Sequence, residues 1–322
     1  MFDDALNAPT LNEIRAAANL LMPYIIRTPL LRLNLCGTPN EIYLKLENLQ
    51  PIGAFKLRCM GNAMLTADDD ALRDGVYTAS SGNAGIGLAW MAAKLGVTGT
   101  VYAPASGPSG KLRKMQDLGA QVHLLGDDQW WQMIVKGGHA TDPGFYVDAV
   151  RNTSAMAGNG TIGLEIIEQL PDVDSIIVPF GGGGVMCGIA SAIRALKPDT
   201  RIIVAESDAA SPLTAALAAD RPVTVPVRTS FISGAGAPSV LDEMWPLVKS
   251  LVDRTAVVSV TEVADAIRLL FDLNRVVAEG AGAIAVAGAL SGECRSGKTV
   301  CVVTGGNIDS NLFSRILSRQ AI

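Results

Sequence analysis

The sequence predicts an α/β fold in which parallel strands alternate with helices and the chain forms two lobes. Near-continuous apolar runs, typical of strands buried on both faces, recur along the chain, and each is followed by a small-residue turn and a helical pattern. At 322 residues the chain is longer than one hydrophobic core comfortably serves. Its 33 glycines and 49% hydrophobic residues are typical of a globular protein, not a disordered or fibrous one.

The predicted elements follow one another in a regular order. A strand near Val76 leads through Ser and Gly residues into a helix beginning near Ala84. Further strands are predicted in six segments: GTVYAP (99–104), AQVHLLG (120–126), GFYVDAV (144–150), SIIVPF (175–180), RIIVAES (201–207) and TVCVVTGGN (299–307). Helical patterns include Lys111–Leu118 and one beginning near Val185. This alternation indicates a parallel sheet, not a meander.

Composition and charge argue against several classes of partner. A net charge of −5 and a pI near 5.1 argue against nucleic acid or an anionic membrane. The densest basic cluster, KLRKM (111–115), is interpreted as one solvated helix face. No run of about 18 apolar residues occurs, so no membrane span is expected. Five cysteines without a CxxC pair indicate reduced thiols and a cytoplasmic location, and two histidines argue against a His-rich metal site.

Three turns mark the expected position of a ligand site. The turns SSGNAG (80–85), GGGG (181–184) and TGGN (304–307) are rich in Ser, Gly and Asn, and each follows a predicted strand. In parallel α/β sheets, ligands bind at the carboxyl ends of the strands. We therefore expect the three turns to border the site.

Lys56 stands among small and apolar residues in the stretch QPIGAFKLRC (50–59). One interpretation is a surface lysine whose stem lies on apolar surface while its head reaches water. The other is a catalytic amine in a dry pocket that forms a Schiff base. The choice depends on the remaining motifs.

Two nucleotide-binding motifs occur in the wrong context. GECRSGKT (292–299) fits the P-loop pattern, but a helical pattern precedes it and a strand follows, which reverses the order that a phosphate cradle needs. GAGAIA (280–285) imitates the dinucleotide fingerprint but follows a helical pattern instead of a strand. We interpret the first as a surface turn and the second as close helix packing. A P-loop NTPase remains an alternative that ATP-stabilised melting would reveal.

The four glycines at 181–184 have the context that the other two motifs lack. They lie between a buried strand and an amphipathic helix, where residues without Cβ let consecutive N–H groups turn toward one anion. We therefore expect phosphate binding there. A phosphate cradle together with a lysine in an apolar setting suggests pyridoxal 5′-phosphate, which needs both groups and a partner at its pyridine nitrogen.

An ordered set of motifs makes the chain similar to a known enzyme family. KLENLQPIGAFKLRCMGNA, SSGNAG, AGNGTIGLE, FGGGGVMCGI, AEGAGA and TGGN all occur. The set resembles the fold-type II (tryptophan synthase β-like) pyridoxal-phosphate enzymes, in particular the serine/threonine dehydratase and serine racemase branch. The similarity runs from Thr28 to about Asn311. Each motif alone is modest evidence, whereas the ordered set is specific.

The resemblance implies a cofactor-binding set. Lys56 matches the lysine that holds the cofactor covalently, and Phe55 matches the aromatic residue beside its ring. Asn83 matches the residue that binds the ring 3′-oxygen, and Thr304 matches the hydroxyl that faces the pyridine nitrogen. The phosphate loop corresponds to Gly181, Gly182, Gly183 and Gly184. Lys56 is thus expected to be the catalytic amine.

The resemblance also implies a substrate loop. The positions aligned with the loop that holds the substrate carboxylate are Ser80, Ser81, Gly82 and Asn83. Ser81 matches the residue on the opposite side of the cofactor ring from Lys56, which makes it a second candidate catalytic residue. A structural alternative is that Ser81 or Asn83 caps the helix that follows.

Thr304 bears on the type of reaction that the resemblance implies. A carboxylate at that position would keep the pyridine nitrogen protonated and give a strong electron sink. A hydroxyl does not hold that proton, and a weaker sink favours prompt loss of a β leaving group. The resemblance therefore implies β-elimination in preference to transamination.

Several positions depart from the family pattern. Many dehydratases have His at the position of Ala84, and Cys59 replaces a glycine. The segments PVRTSFISGAGAPSV (226–240) and DDQWWQ (127–132) are also unusual. Members with a divalent-cation site use an acidic pair. Glu206 is present, but Pro212 stands at the second acidic position, so no metal site is expected.

Together these observations predict an ammonia-lyase with two lobes. Residues 75–150 are assigned to the small lobe that carries SSGN, and 1–74 with 151–322 to the large, cofactor-binding lobe. The expected reaction is dehydration and deamination of a β-hydroxy amino acid such as serine or threonine to a 2-keto acid and ammonia, in a homodimer. The alternatives are an amino-acid racemase, a dehydratase for phenylserine or 3-hydroxyaspartate, and a non-catalytic cofactor-binding protein.

Overall fold

A computed structural model describes residues 6–35, 37, 40–292 and 297–321. The helices are α1 (Leu11–Leu21), α2 (Lys56–Leu65), α3 (Asp69–Leu72), α4 (Asn83–Leu95), α5 (Ser109–Asp117), α6 (Asp127–Lys136), α7 (Thr153–Gln169), α8 (Gly184–Leu196), α9 (Pro212–Ala219), α10 (Trp245–Leu251), α11 (Val260–Asn274), α12 (Gly280–Leu290) and α13 (Ser310–Leu317). The strands are β1 (Leu30–Arg32), β2 (Asn40–Leu46), β3 (Val76–Ala79), β4 (Gly99–Pro104), β5 (Gln121–Leu125), β6 (Phe145–Tyr146), β7 (Ser175–Pro179), β8 (Arg201–Ser207), β9 (Arg254–Val258) and β10 (Gly297–Val303).

The strands form two sheets, and the predicted α/β class is confirmed. The larger sheet has the order β1-β2-β10-β7-β8-β9, and the smaller has the order β5-β4-β3-β6. All neighbouring strands are parallel except β1, which pairs antiparallel with β2. The smaller sheet takes its strands from residues 76–146, inside the predicted small lobe. The exact lobe boundaries at 75 and 150 stay a prediction.

The strand predicted over residues 144–150 is much shorter than expected. Only Phe145 and Tyr146 form β6, although the amide of Val147 still donates to Tyr77 O of the neighbouring strand. The chain then turns because a carboxylate oxygen of Asp148 accepts from the amides of Val150 and Arg151 at 2.8 and 3.0 Å. An Asp that binds backbone amides two and three residues ahead favours a turn over a sheet.

Helices α2, α7 and α8 pack closely beneath the larger sheet because glycines face the neighbouring backbone. A Cβ at Gly158 of α7 would lie 2.2 Å from the carbonyl oxygen of Arg58 in α2, and one at Gly188 of α8 would lie 2.2 Å from Met156 O in α7. Both distances are far below van der Waals contact, so neither position tolerates a side chain. This approach fixes α2, whose first residue is Lys56, against α7.

A buried ion cluster connects β2, α2 and α7. Arg58 Nε lies 2.8 Å from Glu47, Arg58 Nη1 lies 2.7 Å from Glu165, and Lys45 Nζ lies 2.5 Å from Glu165. Burial alone would raise the pKa of Glu47, but Arg58, Lys45 and the hydroxyl of Thr28 outweigh it and lower that pKa. Burial lowers the pKa of Lys45. The two carboxylates and the two cationic side chains carry equal and opposite charge, and buried charges need such pairing.

The structure supports the interpretation of the two nucleotide-binding motifs. α12 ends at Leu290 and β10 begins at Gly297, so a helix precedes the P-loop-like motif and a strand follows it, while its residues 293–296 lie outside the described chain. The residues 280–285 open α12, and the element before them is α11. Neither motif has the strand–turn–helix context that phosphate binding needs. Within the described ranges, no helix is long and apolar enough to cross a membrane.

Candidate active site

One cavity at the carboxyl ends of the strands contains every predicted site residue. The turns after β3, β7 and β10 all border it, as expected from the fold. The predicted residues that line it are Phe55, Lys56, Ser80, Ser81, Gly82, Asn83, Gly181, Gly182, Gly183, Gly184 and Thr304. The cavity lies between the two sheets, since the larger sheet supplies two of these turns and the smaller sheet supplies one.

Lys56 enters the cavity from the first position of α2. Its Nζ lies 4.8 Å from the centroid of the Phe55 ring, and the side chain is half-buried. The preceding loop is held by the turn after β10, because the Phe55 amide donates to Thr304 O at 2.9 Å and the Gly306 amide donates to Gly53 O at 2.9 Å. These backbone hydrogen bonds place the Lys56 amine and the Thr304 side chain in one site.

Thr304 directly follows β10 and has a buried hydroxyl. Its Oγ1 donates to the carbonyl oxygen of Ala281 at 3.1 Å. A hydroxyl can rotate about its Cβ–Oγ bond, so the same group can donate its proton to an acceptor in the cavity. A carboxylate, by contrast, would bring a permanent charge into this buried place.

The loop Gly181–Gly184 makes a concave surface at the start of α8. A Cβ at Gly182 would lie 2.6 Å from Val150 Cγ2, and one at Gly181 would lie 2.9 Å from Gly234 O. Gly183 is the N-cap with φ of 95°, a conformation that favours glycine, and no side chain caps the helix. The first-turn amides of α8 are therefore available to an anion, and the helix dipole adds positive potential.

The loop Ser80–Asn83 faces the cavity from the smaller sheet. Ser80 Oγ accepts from the Gly82 amide at 3.1 Å, and α4 begins at Asn83. The capping alternative for Ser81 and Asn83 is wrong, because Gly82 holds the N-cap position and no side chain accepts a bond from the first turn of α4. The hydroxyl of Ser81 makes no hydrogen bond with any described residue, so it is available to a ligand.

Two charged residues that the sequence reasoning missed close one side of the cavity. Lys111 Nζ of α5 lies 2.7 Å from Glu279 Oε2, at the start of α12. The other carboxylate oxygen of Glu279 accepts from Asn83 Nδ2. The Asn83 Oδ1 accepts from Asn307 Nδ2 at 2.9 Å, so both ends of the Asn83 amide are held. The network fixes the side chain predicted to bind the cofactor ring.

The interpretation of KLRKM (111–115) as a solvated helix face is wrong. Lys111 and Lys114 lie half-buried and point toward the larger sheet, where Lys114 Nζ donates to Ile52 O at 3.2 Å and to Asn307 Oδ1 at 3.0 Å. Burial lowers the pKa of Lys114. The chain contains no periodic apolar signal that would distinguish these lysines from surface ones, so only the three-dimensional approach of the two sheets identifies them.

Glu206 lies in β8, and its carboxylate reaches the start of α9, whose first residue, Pro212, stands at the second acidic position of the family pattern. Its carboxylate accepts from the amides of Leu213 and Thr214, each at 2.8 Å, and from the Thr214 hydroxyl at 2.6 Å. Burial raises the pKa of Glu206. The carboxylate therefore works as a helix cap. Within the described chain, no cluster of three or more His, Cys, Asp or Glu residues could hold a metal ion.

The residues present fit pyridoxal phosphate. The Cβ-free loop at the start of α8 fits a phosphate, Lys56 supplies an amine, and Thr304 supplies a buried hydroxyl. These are the groups that this cofactor needs from a protein. The fold and the site thus define a pyridoxal-phosphate enzyme of fold type II.

Comparison with known proteins shows the family directly. The profile of a family described as "Pyridoxal-phosphate dependent enzyme" matches residues 21–305, and the chain belongs to that family. An L-threonine ammonia-lyase of Thermotoga maritima is 36% identical over 97% of this chain and 79% of its own. A serine racemase of Oryza sativa subsp. indica is 32% identical over 97% and 95%. The structure of maize serine racemase matches with a TM-score of 0.88 at 29% identity, covering 97% and 98%.

Proposed function

We propose that the protein catalyses the pyridoxal-phosphate-dependent dehydration and deamination of a β-hydroxy amino acid such as serine or threonine. The observation that carries this proposal is the meeting of Lys56, the Ser80–Asn83 loop, the Gly181–Gly184 loop and Thr304 in one cavity. The similarity to an L-threonine ammonia-lyase over nearly the whole chain supports it. The products are a 2-keto acid and ammonia.

Each predicted residue has a task in this proposal. The first-turn amides after Gly181–Gly184 would bind the cofactor phosphate, and the side chains of Asn83 and Thr304 would hold its ring. Bound pyridoxal phosphate supplies the electron sink for the reaction. The Ser80–Asn83 loop would bind the substrate carboxylate through its backbone amides.

Lys56 moves the proton in the proposed reaction. With the cofactor bound, the Lys56 amine would be the base that takes up the proton of the substrate Cα. The proton that Lys56 takes from Cα would balance the proton that the β-hydroxyl needs in order to leave as water. The enamine that is released takes up one water in hydrolysis and yields the keto acid and ammonia, so the overall change is loss of ammonia.

Racemisation is the second candidate function. It needs an acid or base on the second face of the substrate, and Ser81 is the candidate by position in the family pattern. The observation that favours it is the Ser81 hydroxyl, which lines the cavity without a partner among the described residues. The similarity to serine racemases of rice and maize supports it as well.

A trapping experiment tests the cofactor assignment and the reaction together. Borohydride reduction of the holoenzyme should fix the cofactor to the peptide that contains Lys56, and K56A should show no such peptide. The wild type should release keto acid from L-serine or L-threonine, measured with a coupled dehydrogenase. Trapping on a different lysine would contradict the assignment of Lys56. Absence of keto acid from every β-hydroxy amino acid tried would contradict the proposed reaction.

We further propose a cytoplasmic homodimer with a small lobe over residues 75–150. Exposed Leu20, Met22 and Ile26 support a subunit contact, since they would be covered in a dimer. Buried thiols of Cys59 and Cys187 support a reducing compartment. Light scattering on a sizing column tests the dimer, with a mass of about twice 33.6 kDa expected.

A further inference from the structure

Five polar side chains form a continuous row of hydrogen bonds along one side of the cavity. In order, this polar row consists of Lys111, Glu279, Asn83, Asn307 and Lys114, and each member is bonded to the next. Three members belong to α4 and α5, which follow strands of the smaller sheet, whereas Glu279 precedes α12 and Asn307 follows β10. The proposed reaction gives a task only to Asn83, so the other four members call for an explanation.

Charged groups fix the direction of the hydrogen bonds at both ends of the polar row. An ammonium group can only donate hydrogen bonds, and an ionised carboxylate can only accept them. Lys111 Nζ lies 2.7 Å from Glu279 Oε2, while the other carboxylate oxygen, Oε1, accepts from Asn83 Nδ2. At the far end, Lys114 Nζ donates to Asn307 Oδ1 at 3.0 Å. Each of the two amides between these ends therefore has one orientation that satisfies its neighbours.

Asn307 transmits this direction to Asn83. Because Asn307 Oδ1 accepts from Lys114, its Nδ2 is the atom that donates to Ile52 O and to Asn83 Oδ1, both at 2.9 Å. If the Asn83 amide turned by 180°, its Nδ2 would face Asn307 Nδ2 and its Oδ1 would face the Glu279 carboxylate. Two donors would then meet at one end of the amide and two acceptors at the other. The observed orientation is therefore the one that the row allows.

One N–H of the Asn83 amide is left for a ligand. Asn83 lines the cavity, and of the two N–H groups on its Nδ2 one is donated to Glu279. The second has no acceptor within the described chain, whereas Oδ1 is already bound to Asn307. Glu279 itself is fixed, because its amide donates to Gly305 O at 3.0 Å and its carboxylate packs against Gly305 where a Cβ would overlap it. What Asn83 offers the cavity is thus a donor.

We propose that Glu279 is a positioning residue, which sets the direction of the Asn83 amide so that an N–H, and not a carbonyl oxygen, is available to the ring oxygen of bound pyridoxal phosphate. The inference rests on the proposed function, in which Asn83 holds the cofactor ring, and deepens it. Lys111 occupies the second oxygen of Glu279, and Lys114 fixes the far end of the row. A ring oxygen with negative charge needs a donor, and hydrogen bonds to an ionised acceptor are the strong ones.

E279Q separates the direction of the hydrogen bonds from the size of the side chain. Lys111 can only donate, so it would bind the glutamine oxygen and turn the glutamine nitrogen toward Asn83. A donor would then face Asn83 Nδ2, and turning the Asn83 amide would only move the conflict to Asn307. We expect the dissociation constant of pyridoxal phosphate, titrated into apoenzyme, to rise about tenfold or more. The visible absorbance of the bound cofactor should fall relative to its near-ultraviolet absorbance, because the ring oxygen loses a donor for its negative charge.

Removing Lys111 from the same variant should restore binding. In E279Q/K111M no ammonium group binds the glutamine oxygen, so that oxygen can accept from Asn83 and the amide keeps its direction. We expect K111M and E279Q/K111M to bind pyridoxal phosphate within about threefold of the wild type, since both keep an acceptor for Asn83. E41Q is the matched control for the loss of a carboxylate charge, because Glu41 pairs with Arg32 near the amino end of β2, whereas the cavity lies at the carboxyl ends of the strands. It should bind like the wild type.

Wild-type affinity in E279Q would overturn the proposal. A loss of about tenfold in K111M or in E279Q/K111M would overturn it as well, because the ion pair would then act only as a tie between α5 and α12. Melting of each apoenzyme checks the fold, and if E279Q is unfolded the other two variants still decide. If wild-type apoenzyme binds no pyridoxal phosphate, the cofactor assignment fails and the proposal fails with it. If the wild type binds the cofactor but forms no keto acid, only the proposed reaction fails, so the two failures are distinguishable.

Discussion

Ser81 carries a hydroxyl that lines the cavity and is bound by no described neighbour, whereas Ser80 beside it accepts from Gly82. Elimination from an L-amino acid needs one base, which Lys56 provides, but racemisation needs a second group. A serine hydroxyl is a weak base, so it must be activated by its surroundings. The two reactions therefore depend on Ser81 to different degrees.

For S81A we expect most elimination of L-serine to remain, while any D-serine formation or D-serine elimination disappears. Chiral chromatography and keto-acid release measure the two outcomes, and the melting temperature with and without cofactor checks the fold. K56A is the comparison that should lose both activities. If D-serine formation or D-serine elimination survives in a folded S81A holoenzyme, Ser81 has no part in the mechanism.

Chelation tests the assignment of Glu206 as a helix cap. Hard cations need several oxygen ligands, and three hydrogen bonds already occupy the Glu206 carboxylate. We expect EDTA to change kcat/KM by less than about twofold, because an incomplete oxygen shell binds such cations poorly. A large loss that magnesium or calcium restores would show that a cation site exists. Melting curves with and without EDTA provide a readout that is independent of activity.

The glycine loop before α8 makes a prediction at the level of a structural element. In G182A the new Cβ would lie 2.6 Å from Val150 Cγ2, so the loop must move and its amides lose their common direction. We expect cofactor affinity to fall about tenfold or more, equivalent to about 1.4 kcal/mol. Titration of apoenzyme with pyridoxal phosphate, followed by absorbance, measures the change.

G110A is a suitable control for the loop variant. Gly110 lies in α5, and an added Cβ there would meet no atom within 4 Å. Alanine favours a helix over glycine by up to about 1 kcal/mol, so this variant should bind the cofactor normally and be slightly more stable. If G182A binds pyridoxal phosphate with wild-type affinity, the assignment of the glycine loop as the phosphate site is contradicted.

The elements that surround the site show what the sequence could predict. The strands before the turns at Ser80, Gly181 and Thr304 were predictable because long apolar runs signal buried parallel strands. The pairing of Lys111 with Glu279 was not, since it arises from the approach of two sheets that are distant in sequence. The alternative that Ser81 caps α4 is wrong because Gly82 already occupies the N-cap. Periodicity indicates which face of an element is buried, not which other element covers it.

For the whole molecule, the buried ion cluster predicts how stability depends on Arg58. In R58M, Glu47 and Glu165 lose the guanidinium that neutralises them while staying in the interior. We expect a loss of about 3–5 kcal/mol in the free energy of unfolding at pH 7, measured with urea. Arg73, whose ion pair with Asp70 is exposed, provides the control, and R73M should change stability by less than about 0.5 kcal/mol.

The pKa of Glu47 determines how the free energy of unfolding of R58M depends on pH. In the wild type the pKa of Glu47 is lowered. The ionised Glu47 carboxylate therefore stabilises the folded protein above about pH 4.3, and this contribution is lost as the pH falls through the lowered pKa. Without Arg58, burial raises the pKa of Glu47, and protonation then relieves the unpaired charge. The stability difference between R58M and wild type should therefore narrow between pH 7 and pH 5. A constant difference would mean that packing, not charge, accounts for the loss.

The close fit between Val150 and Gly182 limits how the pocket can be redesigned. Val150 lines the cavity, and its side chain packs directly on the glycine loop. Laboratory evolution toward smaller side chains at position 150 leaves that loop in place and enlarges the pocket. Larger side chains push on the loop, so each attempt to exclude a bulky substrate from this position also weakens retention of the cofactor. Substrate range in this protein can therefore widen at position 150 more readily than it can narrow.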